Sequence, residues 1–106
     1  MSQPEMADTV AAAVRDIDGV AELHGGLFGE VGTYLPGRRV LGVRLDVVGN
    51  AEIHVVLRWG FSIPATADAV RRRVWGLVPG VVDVVVDDVT QRWEPSGGRR
   101  SEEGVT

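Results

Sequence analysis

One stretch of this chain settles most of its architecture. From Ala51 to Trp59, Ile53, Val55, Leu57 and Trp59 face one way, and Glu52, His54, Val56 and Arg58 face the other. A side-chain period of two is that of a β-strand with an apolar face and a largely wet one. The residues before it keep the same rhythm, Val43, Leu45 and Val47 against Arg44 and Asp46. Gly49-Asn50 between the two stretches is a hairpin turn signal. The pair therefore predicts an antiparallel sheet covered on one face only, and the cover must come from elsewhere in the chain.

Two helices supply it. Met6, Val10, Val14 and Ile17 recur at helical spacing and make one apolar stripe. Ser2 and Glu5 have the spacing of a capping box, Pro4 fits a first turn, and Gly19 is the expected C-cap. The second helix is expected from about Pro64, with Ala67, Val70, Val74 and Leu77 buried and Arg71, Arg72 and Arg73 mostly off that stripe. Pro79-Gly80 ends it.

Strands fill the rest. Short ones are expected at 20–24 and 30–34, separated by the turn or bulge Gly25-Gly26-Leu27-Phe28-Gly29. Pro36-Gly37 is a type II turn signal, and 38–48 reads as one long strand. The last strand covers 81–89, with Val82, Val84 and Val86 inward. Its crossover from the preceding strand is right-handed if the two run parallel. The predicted fold is α+β, a two-layer sandwich in the order α-β-β-β-β-α-β. A mainly antiparallel sheet of four to five strands carries both helices on one face. Residues 1–92 form a single domain, and 93–106 is expected to be a disordered polar tail.

At 106 residues there is room for one modest core and no deep enclosed chamber. There is no cysteine, which excludes disulfides, thiolate metal sites and a cysteine nucleophile. No segment approaches the roughly 20 apolar residues that cross a bilayer, and the N-terminus has no signal-peptide pattern. A cytoplasmic protein without direct membrane insertion is expected. A net charge of −4 argues against nonspecific nucleic-acid binding.

Chemistry-bearing residues are few. His24 and His54 are the two histidines, and neither has metal-ligand spacing to a partner. His54 is expected on the wet face of its strand, beside Arg44 or Asp46. An active site would need His24 or His54 to meet Asp46, Asp83 or Asp87 in a pocket. The glycine-rich run HGGLFGE leads into a strand, whereas phosphate loops lead into a helix. Asp83, Asp87 and Asp88 read as a solvated edge that resists edge-to-edge pairing. None of the four serines sits in a nucleophile context. No catalytic residue, metal ligand or cofactor site is therefore expected, and no small-molecule substrate. Two arginine surfaces are the candidate partner-binding sites: Arg38 and Arg39 at the Pro-Gly hairpin tip, and Arg71 and Arg72 with Trp75 on the second helix. Arg71 and Arg72 are within reach of Trp75 on a helix, which allows a cation–π contact or an arginine–aromatic docking patch; the simpler reading is a solvated helix face with the tryptophan at the core boundary.

Three segments carry a family resemblance: DIDGVAEL, TYLPGRRVLGVRL and GVVDVVVDDV. Over roughly residues 5–90 the chain resembles the alkaline shock protein family of bacterial envelope stress response proteins, in its actinobacterial form. The resemblance implies a cytoplasmic protein without enzymatic activity that associates with the membrane through a separate, membrane-anchored partner, or with itself. It supplies no catalytic residues. A ferredoxin-like module sensing a small ligand or a metal is the alternative reading. The chain departs from many family members in having no lysine.

Overall fold

The computed structural model of the protein describes residues 3–26 and 28–91. Its elements are α1 (Gln3–Arg15), β1 (Val20–Leu23), β2 (Gly32–Leu35), β3 (Arg38–Leu41), β4 (Val43–Leu45), β5 (Ala51–Arg58), α2 (Ile63–Trp75) and β6 (Val82–Thr90). The predicted Ser2 cap and the predicted tail over 93–106 lie outside the described residues.

The strand read first from the sequence is the centre of the sheet. β5 pairs along its whole length with β6, and the two run parallel. Its other edge is shared end to end: β4 pairs antiparallel with its first half and β1 with its second. Both helices pack on one face, as expected. Val10 and Val14 of α1 and Val70 and Val74 of α2 meet Val43, Ile53, Val55, Leu57 and Val82 in a single core. Burying an aliphatic side chain of this kind stabilises by about 1.5–3 kcal/mol, which makes this layer the main source of cohesion.

One difference from the expected order is that the long strand over 38–48 is divided. β3 pairs with β2 in a separate hairpin, and β4 joins the main sheet. Gly42 is the corner, with φ at 80°. Its N–H donates to the Val31 carbonyl, and its carbonyl accepts from the His54 N–H. A Cβ at this position would lie 2.9 Å from the His24 nitrogen, the His54 carbonyl oxygen and the Leu23 Cβ. Only glycine fits both the left-handed backbone and the close approach. At the tip of the β2–β3 hairpin, Gly37 has φ 77°, as the predicted type II turn requires.

Two residues assigned to the apolar face are not in the core. Val47 is 97% exposed and Trp59 is 66% exposed. Val47 lies beyond the end of β4, in a turn built on Asp46. That carboxylate accepts from the N–H groups of Val48 and Asn50 and from the Asn50 side-chain amide. The hairpin loop is therefore longer than the two residues Gly49-Asn50. Trp59 follows the last residue of β5, where alternation no longer decides the facing. Gly19 is also displaced from its expected role. α1 closes at Arg15, and Gly19, with φ 94°, sits at the entry to β1.

The start of β6 is tied to the same hairpin turn. The Asn50 Oδ1 accepts the Val81 N–H at 2.8 Å while its Nδ2 donates to Asp46 at 2.9 Å. At the far end, Ser62 caps α2, its Oγ accepting the Ala65 N–H at 3.2 Å. This cap supports a helix whose buried stripe is Thr66, Val70 and Val74, with Ala67 half-buried at its margin.

Candidate functional site

The uncovered face of the sheet carries a continuous polar chain. Alternation puts Glu52 and His54 of β5 on it, and parallel pairing brings β6 alongside. The ladder is interrupted after Val55↔Val86, so that Val56 pairs with Asp88 and Asp87 is the extra residue. Such a bulge re-aims a side chain. The Asp87 Oδ2 meets two imidazoles, His54 Nδ1 at 2.9 Å and His24 Nδ1 at 3.0 Å. His24 follows β1, and its backbone N–H donates to the His54 carbonyl, which fixes it beside β5.

The chain continues from His54. Its Nε2 lies 2.6 Å from Glu52 Oε2, and Glu52 Oε1 accepts from Arg44 on β4 at 3.2 Å. Arg44 also donates to the Glu30 carbonyl. Three strands and the 25–31 connection are thereby held through one series of contacts.

His54 is the constrained member. Both ring nitrogens face carboxylate oxygens, which only accept when ionised, so both must donate. The geometry therefore suits the imidazolium. The side chain is 12% exposed. Burial opposes the charge, but the hydrogen bonds and fields of Glu52 and Asp87 outweigh it and raise the pKa of His54 above its usual value. His24 presents a different problem. Its Nδ1 accepts the Gly26 N–H at 3.0 Å and also faces Asp87. One ring nitrogen either accepts from Gly26 or donates to Asp87, so the two contacts compete.

His54 was expected beside Arg44 or Asp46. It lies on the predicted face and reaches Arg44 through Glu52. The meeting of both histidines on Asp87 was one condition set for an active site. Ser62, the one serine among the described residues, is committed to the α2 cap. Among the described residues, no group of three or more histidines and carboxylates is disposed to hold a metal ion. A cleft of about 270 Å³ opens beside Glu52, lined also by Arg44, Asp46, Asn50 and Asp83.

The two arginine surfaces differ in what they have left to offer. Arg38 makes two hydrogen bonds to the Asp8 carboxylate, at 2.8 and 3.1 Å, and so fastens the hairpin tip to α1. The hydrogen bonds from Arg38, and after them its charge, hold the Asp8 carboxyl below its usual range. Arg39 donates to the Gly29 carbonyl and lies 5.8 Å from the centroid of the Tyr34 ring. Both are used within the chain. On α2, Arg71 and Arg72 both pair with Asp68. Among the described residues the cation–ring contact is that of Arg39 with Tyr34, and Trp75 carries none. Trp75 stands 57% exposed near the end of the helix.

The histidine–aspartate cluster was missed from the sequence because β1 and β6 reach β5 from opposite sides and from distant positions. The signal for it was weak: Asp87 on the wet face of an alternating strand. No helix among the described residues is long and apolar enough to cross a membrane. Comparisons with protein-family models, with curated proteins and with solved structures found no match.

Proposed function

We propose that this protein is a non-catalytic interaction domain that docks a protein partner through the exposed flank of α2. The observation that carries the reading is Trp75, a large aromatic side chain left in solvent one turn beyond Arg71 and adjacent in space to the arginine-bearing surface. Tryptophan and arginine are the side chains most enriched where interfaces concentrate their binding energy. The family resemblance supports a partner anchored in the membrane, with the domain itself on the cytoplasmic side and serving the envelope under stress.

The test compares tagged wild type with Trp75→Ser and with the double variant Arg71→Glu/Arg72→Glu, each checked for unchanged circular dichroism. A partner captured by wild type should be lost from both variants. Retention of every partner by folded variants would overturn docking through this helix.

The alternative, a small-ligand sensing module, is favoured by one feature. A cleft of about 380 Å³ lies between Met6, Leu45, Val47, Val78 and Pro79, within the size range of small-molecule sites. A thermal-shift screen against metabolites and metal ions decides it. Saturating ligand should raise the midpoint by mass action, and a flat screen counts against the module.

A further inference from the structure

We propose that β6 is a strand-addition site. Its occupant is an extended segment of a partner protein with arginine or lysine on one face and apolar side chains on the other. This rests on the interaction-domain reading and specifies how the partner is held.

The sheet supplies the template. Among the described residues β6 pairs with β5 alone, so its second edge has no strand beside it. The Ala51 N–H donates to the Val81 carbonyl, and the register Ala51↔Val82 continues through Val55↔Val86. In a parallel ladder of this phase, residues 81, 83 and 85 turn their peptide groups toward β5. The N–H and C=O groups of Val82, Val84 and Val86 then point to the open edge. This run precedes the Asp87 bulge, so five consecutive residues are regular enough to receive a strand. The edge has no proline to block a ladder.

Charge selects the occupant. On the uncovered face β6 presents Asp83 and Val85 within the regular run and Asp87 at the bulge, with Val81 just before the strand. A second copy paired antiparallel about Val85 sets Asp83 against Asp87, and a parallel in-register copy sets each aspartate against itself. Like charges directly opposite destabilise a pair, whereas opposite charges stabilise it. A segment with a basic residue opposite Asp83 meets the aspartate inside the regular run, and a second basic residue four positions on reaches the bulged Asp87 at its end, beside the two imidazoles.

The helix supplies the second wall. α1 lies over β1 and β4, and α2 over β6. Arg72, Arg73, Ala65 and Ala69 line clefts facing α1. Ala67, Arg71 and Trp75, spaced by four, share the flank of α2 turned away from those clefts, on a helix that packs over β6. A strand added to β6 turns its other face to the α2 side of the sheet, where an apolar side chain fits.

The test uses the full chain and a fluorescein-labelled peptide, Thr-Arg-Val-Thr-Val-Arg-Thr, with a twin carrying glutamate for both arginines. Anisotropy should show saturable binding of the arginine peptide, weakened at least tenfold by the glutamate exchange or by Asp83→Arg. Amide exchange at Val82, Val84 and Val86 should slow on binding. Equal binding of both peptides, or unchanged exchange at saturation, overturns the proposal. Protection of these amides that rises with protein concentration alone overturns it in favour of self-pairing. If Trp75→Ser abolishes partner capture while these amides remain unprotected, docking through α2 stands and strand addition falls. If the peptide binds as described but no partner depends on Trp75, the helix-face reading falls alone.

Discussion

His54 and Asp87 face one another across the β5–β6 ladder, Nδ1 to Oδ2 at 2.9 Å, while the opposite nitrogen of the same ring meets Glu52 at 2.6 Å. A ring held by two carboxylates gains from being charged. The groups around it are His24 after β1, Arg44 on β4, Glu52 on β5, Asp87 on β6 and Glu30 in the connection before β2.

The pH dependence of stability follows. The folded-state pKa of His54 lies above the imidazole's usual 6.5. Its contribution is fully present below that value and is lost as pH rises through the folded pKa. Asp8, Glu30 and Asp46 are shifted the other way, lowered from 3.8, 4.5 and 3.8. Arg38 lowers Asp8, backbone N–H groups lower Glu30, and Asn50 lowers Asp46. Their contributions are present above those values and fade as pH falls through the lowered ones. Melting midpoints should therefore peak between about pH 5 and 6.5 and decline toward pH 8.5. His54→Gln should flatten the alkaline limb and spare the acid limb. A wild-type midpoint that does not fall above pH 6.5, or an unchanged fall in the variant, contradicts the assignment.

Asp87→Ala removes the shared acceptor of two imidazoles and leaves His54, 12% exposed, with one carboxylate partner. A lost hydrogen bond of this kind costs about 1–3 kcal/mol, and the loss should be larger at pH 6 than at pH 8.5. Urea denaturation at the two pH values measures it, and a pH-independent cost speaks against a charged His54.

Gly42→Ala should be far more damaging than a glycine exchange at Gly37. Both have positive φ, but a Cβ at Gly37 meets nothing within 4 Å, whereas at Gly42 three neighbours stand at 2.9 Å. The strained backbone alone costs about 1–2 kcal/mol, and the contacts add to it. Equal midpoints for Gly37→Ala and Gly42→Ala refute the corner.

Leu57→Ala and Val47→Ala test the boundary of the apolar face. Leu57 is fully buried, so truncation should cost about 2–5 kcal/mol. Val47 points to solvent, and its change should stay within about 0.5 kcal/mol.

Those two residues also show what was legible. Both stand in alternating stretches, and alternation correctly gave the β4–β5 pair and its covered face. It did not show where each strand stops, because Asp46 ends β4 through hydrogen bonds to Val48 and Asn50 that no hydrophobic period records. The corner at Gly42 had a signal, an isolated glycine in a strand pattern, which marks a bulge or close backbone approach. Ser62 before Pro64 was likewise readable as a cap. The His24–Asp87–His54 cluster was not readable. It needs two non-local pairings and a bulge, each fixed by packing between distant elements.

Asn50 gives the chain an order of assembly. The β4–β5 hairpin joins neighbours in sequence, while β6 reaches β5 only after α2 has spanned the gap. Local closure is fast, and distant parallel pairing is slow. In the folded chain Val81 is held at both its peptide groups, its N–H by the Asn50 side chain and its carbonyl by the Ala51 N–H, each at 2.8 Å. A strand that pairs late and is clamped at its first residue has its register set at one end, and the rest of the ladder follows from it. Asn50→Ala should slow refolding more than it speeds unfolding.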